Sequence, residues 1–153
     1  MRLKLYYIAK RRQEDEYTKL LSHVVSLQEN AIFSKDIAQA QQRGASFARA
    51  SYSKAYAPFL AQNDYKIALD ERGKLMDSRA YAALIANKSD LSLFFGGAYG
   101  LEEDFKASCD LVLSLSPLTF AHKLAIMLAK EQCYRAFCIN AKHPYHKDSH
   151  ETR

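Results

Sequence analysis

The residues most capable of chemistry in this sequence are Arg135 and the run His143-Pro144-Tyr145-His146. A histidine can take or release a proton near neutrality, whereas a guanidinium stays protonated and can only donate hydrogen bonds. Arg135 follows Glu131 by four residues, so its plainest reading is an ion pair one turn apart on a helix. His143, His146 and His150 together suggest a metal cluster. Pro144 breaks the helical spacing a chelating pair needs and no cysteine lies beside them, so no metal is expected. Cys133 and Cys138 lie five apart on different helix faces and read as small buried apolar residues. With Cys109 they make an odd count of 3 without a Cys-x-x-Cys, hence neither a disulfide frame nor a zinc ribbon. His23 and His122 read as structural. A second feature is Phe95-Gly96-Gly97-Ala98-Tyr99-Gly100. Glycines after a strand let backbone approach a ligand, although a simple turn explains them equally well. The chain has no GxxxxGK[ST] and no GxGxxG, which excludes a P-loop nucleotidase and an ordinary dinucleotide fold.

Strands alternating with helices must position these groups. Leu3–Ile8, Tyr65–Leu69, Leu91–Phe95 and Leu111–Ser116 read as strands, with a shorter candidate at 31–33. Helices are expected over Glu14–Leu27, over Ile37–Gln62 with interruptions at Gly44 and Pro58, from a Ser78 cap to Asn87, and over Phe120–Ala141. The longest is expected to bury a stripe of Leu124, Met127, Leu128, Tyr134 and Cys138. Three carboxylates, Glu102 to Asp104, suit a helix N-terminus. Near-continuous apolar strands alternating with helices imply an α/β fold with a parallel sheet covered on both faces. In such a sheet ligands sit beyond the carboxyl ends of the strands. Three marked loops lie there: Leu69-Asp70, the glycine run, and Leu115-Ser116-Pro117-Leu118-Thr119-Phe120.

A chain of 153 residues, 48% hydrophobic and 25% charged, suits one soluble domain over 1–153 and excludes disorder and fibre. Its apolar stretches are too short for a membrane span or a signal peptide, and with the cysteine usage this points to the cytoplasm. The net charge of +5 is unevenly placed. Residues 1–66 carry 11 Lys+Arg against 6 Asp+Glu, and residues 67–153 carry 11 against 11. A basic face for an anionic partner such as RNA is one reading, and a merely soluble surface is the other. Arg43, Phe47, Arg49, Tyr52, Lys54 and Tyr56 interleave charge with rings; core packing is favoured over RNA contact.

Five ordered segments carry a resemblance. They are Leu69 to Lys74, Phe95 to Leu101, Leu113 to His122, Glu131 to Phe137, and His143 to His146. The set closely resembles the RlmH (YbeA-like) family of SPOUT methyltransferases, densely from Leu69 to Lys147 and thinly before Tyr65. The resemblance implies a SPOUT-type α/β fold with a C-terminal deep trefoil knot, the knot and cofactor site spanning roughly 65–147, and a homodimer. It implies S-adenosyl-L-methionine held by Leu69, Gly96 or Gly97, and Leu115, Ser116, Pro117, Leu118, Thr119 and Phe120. The implied reaction methylates N3 of a pseudouridine in a stem-loop of large-subunit ribosomal RNA on assembled ribosomes. Arg135, Tyr145 and His146 would be catalytic, with His146 as a candidate general base, and His143 and Lys147 would contact substrate. Such a transfer needs no metal. Ala121 stands where the family commonly has proline, and Ile126 where some relatives carry arginine. Two alternatives stay open: a ribosome-binding assembly factor without catalysis, and a SPOUT enzyme for another RNA such as tRNA.

Overall fold

The computed structural model describes residues 1–147. Five strands, β1 (Arg2–Ile8), β2 (Ser26–Ile32), β3 (Tyr65–Lys74), β4 (Asp90–Phe95) and β5 (Leu111–Leu113), form one sheet in the order β2-β1-β4-β3-β5. Every pairing is parallel. Helices α1 (Glu16–Ser22), α2 (Lys35–Arg43), α3 (Ala45–Tyr56), α4 (Ser78–Ile85), α5 (Glu103–Ala107) and α6 (His122–Asn140) connect and cover it. The α/β class with a parallel sheet is as expected.

Alternation along the strands divides the core in two. Leu3, Leu5, Tyr7, Ile67, Leu91 and Leu93 face one side and meet Tyr81, Ala82 and Ile85 of α4 and Ile126, Ala129 and Cys133 of α6. Tyr6, Ile8, Ala68 and Phe94 face the other and meet Ala48, Tyr52 and Tyr56 of α3 and Phe105 of α5. Phe94 stacks on Tyr6 at 4.8 Å between centroids and meets Phe105 edge to face at 5.3 Å. Such aromatic pairs add about 0.5–1.5 kcal/mol each beyond their buried area.

Several boundaries differ from expectation for local reasons. The helix expected to reach Leu27 stops at Ser22, and Ser26–Ile32 becomes the edge strand β2. Asp15 caps α1 by accepting from the Tyr17 and Thr18 amides. Gly44, at φ +127°, separates α2 from α3, and Pro58 opens a 3-10 turn over Ala57–Ala61. Asp77, not Ser78, caps α4; the Ser78 hydroxyl donates to Gln132 instead. β3 runs on to Lys74, while β5 ends at Leu113 because Ser114 turns aside to bond the carbonyls of Glu71 and Ser116. These segments cross tightly: a Cβ on Gly73 would lie 2.7 Å from the Val112 carbonyl oxygen.

The buried face of α6 also differs. Leu124 is 45% exposed, while Ile126, Ala129, Lys130, Cys133 and Ala136 face inward. Lys130 is fully buried, its ammonium 2.6 Å from the Gln13 carbonyl, 2.6 Å from Glu29, 2.9 Å from the Thr18 hydroxyl and 3.3 Å from Asp15. One side chain thus ties α6 to α1, β2 and the segment before α1. Ile126 is core, packed in the cluster that α6 shares with α4 and the sheet, and so offers no exposed contact.

Candidate functional site

The carboxyl ends of β3, β4 and β5 open into a cleft of about 610 Å³. Leu69, Gly96, Gly97, Leu115, Ser116, Leu118, Thr119 and Phe120 line it; Pro117 lies in the same loop but outside the lining. A second cavity of about 360 Å³ shares Leu69, Leu113, Leu115 and Phe120 and reaches Ser78, Leu128 and Gln132 on α4 and α6. The loop after β5 therefore separates two hollows.

Glu71 stitches the first loop to the third. The Ser114 hydroxyl donates to its carbonyl at 3.0 Å, and the Thr119 hydroxyl donates to its carboxylate at 2.5 Å. Within the third loop the Leu118 amide donates to Ser116 Oγ at 3.0 Å. Asp70 is held by the Arg72 amide at 2.8 Å and the buried Lys106 ammonium at 2.7 Å. Burial alone would raise the Asp70 pKa, but those hydrogen bonds and the lysine charge outweigh it and hold the carboxyl below its ordinary range.

The glycine loop rests on two tyrosines of α3, residues that motif reading does not assign to the site. Tyr56, fully buried, donates to the Phe95 carbonyl at 2.7 Å. Tyr52 lies directly beneath Gly97, where an added Cβ would come within 2.5 Å of its hydroxyl. On Gly96 a Cβ would meet the Gly100 backbone at 2.8 Å, and Gly100 itself has φ +79°. Bare backbone is thus required at the cleft wall. Core packing holds for Tyr52 and Tyr56, as expected, whereas Phe47 is 45% exposed beneath the Arg43 guanidinium, 3.8 Å from its ring centroid.

The candidate catalytic residues gather elsewhere. Arg135 Nε and Nη2 donate to Glu131 Oε1 at 2.9 and 2.5 Å, so the plain ion-pair reading of these two residues is also correct. Its Nη1 lies 3.0 Å from His146 Nδ1, and its guanidinium carbon 4.8 Å from the Tyr145 ring centroid. The Tyr145 hydroxyl donates to the same Glu131 oxygen at 3.1 Å, and its ring meets Tyr134 edge to face at 4.9 Å. Burial, then neighbouring Tyr17 and Glu131, push the Tyr145 phenol well above its ordinary range, so it keeps its proton. Exposed His143 accepts the Tyr145 amide through Nδ1 at 3.2 Å, within the turn; Lys147 is exposed. His150 lies outside the described residues. Among the described residues no cluster of His, Cys, Asp or Glu could hold a metal.

None of Arg135, Tyr145 and His146 lines the cleft of its own chain. From Ala125, at the cleft wall, to Arg135 is ten residues of α6. At ~1.5 Å per residue that is about 15 Å along the axis. His122, opening the helix, has its ring 3.1 Å from the Ile8 carbonyl, and burial lowers its pKa against the lift from that bond. Beyond β1, Lys10, Arg11 and Arg12 are exposed at the same carboxyl end of the sheet.

Comparison with known proteins gives a coherent set. A family model described as "Predicted SPOUT methyltransferase" matches residues 1–146. "Ribosomal RNA large subunit methyltransferase H" of Campylobacter jejuni subsp. doylei is 48% identical over 151 residues, covering 96% of this chain and 100% of that protein. The protein of the same name from Aliarcobacter butzleri is 40% identical over 153 residues, with 96% and 100% covered. The solved structure of a probable methylase family protein from Haemophilus influenzae aligns with a TM-score of 0.55 at 14% identity, over 96% of this chain and 70% of that one, a likeness of fold. No helix among the described residues is long and apolar enough to cross a membrane.

Proposed function

The chain belongs to the SPOUT methyltransferase family, and from that premise we propose that it methylates large-subunit ribosomal RNA. The methyl group comes from S-adenosyl-L-methionine and goes to N3 of a pseudouridine in a stem-loop, in the cytoplasm, on assembled ribosomes. The observation carrying this reading is the convergence of three strand-end loops on one cleft, in a chain 48% identical to a relative named as a large-subunit ribosomal RNA methyltransferase.

The cleft suits the cofactor. Its volume falls within the range of about 300–1,000 Å³ usual for small-molecule sites. Leu69, Leu115 and Phe120 offer apolar walls, and Gly96 and Gly97 offer uncovered backbone. Gly97→Ala drives a methyl into Tyr52. Overpacking of this kind costs about 1–3 kcal/mol, so calorimetry should show cofactor affinity falling roughly 10- to 100-fold.

The cofactor supplies a methyl group on a sulfonium, ready for in-line displacement. What the chain must do is hold the base in line and favour its deprotonated, anionic form. Arg135 supplies a fixed positive charge, and Tyr145 and His146 present a ring and a second hydrogen-bonding group. Arg135 stands about 15 Å along α6 from Ala125 at its own cleft, and Tyr145 and His146 gather around it, so a homodimer in which one copy's tail meets its partner's cleft completes the site. Exposed Leu75, Leu118 and Leu124 offer apolar surface for a second copy to cover.

Labelled cofactor and ribosomes lacking the modification test the reading: label should enter large-subunit RNA, and mass spectrometry should place it on pseudouridine N3. Label entering tRNA instead shifts the substrate, and ribosome binding without cofactor affinity indicates an assembly factor. RNA binding is assigned to the basic loop. Charge reversal at Lys10, Arg11 and Arg12 should weaken ribosome binding and leave cofactor affinity unchanged. The slope of log affinity against log salt should flatten by about one for each phosphate that is no longer neutralised.

A further inference from the structure

We propose, building on the reaction just assigned, that His146 serves as a hydrogen-bond donor to the anionic base through Nε2–H, and that Glu131 is the positioning residue that imposes this role. A guanidinium has donors and no acceptor. With Arg135 Nη1 3.0 Å from His146 Nδ1, that nitrogen must offer its lone pair. The neutral ring then carries its single proton on Nε2, the nitrogen left for the substrate. A general base needs the reverse arrangement, with Nδ1 protonated and Nε2 bare, and that would set an N–H against an N–H.

Glu131 fixes the direction of Arg135. It is 9% exposed, and its Oε1 takes both Nε and Nη2, leaving Nη1 as the arm that points to His146. The same oxygen takes the Tyr145 hydroxyl at 3.1 Å, anchoring the residue next to His146, and Gln132 Nε2 donates to Oε2 at 2.9 Å. Tyr145 is therefore a donor too, and no member of the cluster is poised to accept the N3 proton. That proton leaves to solvent before transfer. The N3 anion's electron pair then forms the N–C bond as the S–C bond breaks, its pair remaining on sulfur as a thioether. Arg135 and the His146 Nε2–H stabilise the anion whose charge spreads over N3 and its flanking carbonyls.

Nitrogen-15 NMR of the full-length protein reads the tautomer directly, without substrate. The Nε2–H form is expected, and an Nδ1–H form overturns the proposal. In activity, His146→Gln places an amide donor near Nε2. It should retain far more turnover than His146→Ala, for which loss of one preorganised donor predicts about a 10²- to 10³-fold fall. Equal loss in the two variants points to a base and overturns the donor role. Turnover of the unmodified protein should climb about tenfold per pH unit toward the imide pKa, whereas a plateau just above the ordinary histidine pKa of about 6.5 contradicts it. Glu131→Gln should lower kcat about 10- to 100-fold with unchanged cofactor affinity, and should mix the His146 tautomers; unchanged kcat and tautomer remove Glu131 from the proposal. No methylation of ribosomal RNA by the unmodified protein refutes the underlying reaction and with it the substrate role, while the NMR result reports on the tautomer by itself.

Discussion

Arg135→Ala lowers turnover by at least about 10²-fold and leaves affinity for the methyl donor near that of the unmodified protein. The first part follows from removing a preorganised cation beside the developing anion, a loss of roughly 10²–10³ for a single donor. The second follows from its assignment to the base, since the methyl donor is assigned to the three strand-end loops, of which Arg135 is no part. Calorimetry and single-turnover rates measured on one preparation separate the two. A variant that also loses cofactor affinity would show that the Arg135–Glu131 pair is purely structural. The dimeric reading adds a sharper outcome. Arg135→Ala has intact clefts and Gly97→Ala has intact tails, so subunit exchange between them creates dimers with one sound site. With random exchange about a quarter of all sites are sound, and at a cofactor concentration that fills the intact cleft but not the Gly97→Ala cleft the mixture becomes more active than either parent. Additive, unimproved activity would place the tail at its own chain's cleft.

Lys130→Met should have the largest effect on stability. It removes the cation from between Asp15 and Glu29, whose side chains are 8% and 5% exposed, and leaves two carboxylates buried beside one another. Breaking a buried pair by deleting one partner costs about 3–5 kcal/mol. For a domain of this size that lowers Tm by about 6–20 °C in a thermal melt. Pairing Lys130→Met with Glu29→Gln and Asp15→Asn should recover much of the loss, because the uncompensated charges are its source and asparagine keeps the cap of α1. A melt of Lys130→Met within a degree or two of the unmodified protein would show the ammonium to be replaceable by apolar packing alone.

Lys130 also marks where sequence reading stops. A lysine in a long helix reads as solvent-facing, and only the arrival of Asp15 and Glu29 from over a hundred residues earlier makes it interior. The apolar stripe of α6 differs from expectation for the same reason, with Leu124 outward and Lys130 inward. The central strands are legible because their apolar runs are nearly unbroken. β2, at the sheet edge with Gln28, Glu29 and Asn30, lacks that pattern and reads partly as helix. The cleft is legible too, since its walls are the loops that follow those strands, and all of its candidate residues but Pro117 line it. Tyr52 and Tyr56 read as core but not as the floor of the glycine loop. That contact joins segments about forty residues apart, and no local spacing encodes it.

That floor makes the two halves of the chain inseparable. A fragment starting at Tyr65 would hold every residue assigned to the cofactor, yet it would lack α3 and also β1, the strand hydrogen-bonded to β4. Its glycine loop would have nothing beneath it. The half that carries the cleft is therefore no portable cassette. Positions 52 and 97 should change together over evolutionary time, a smaller ring permitting a larger residue above it. The first half of the sequence is then held along the α3 face that carries the loop, besides the basic residues assigned to RNA.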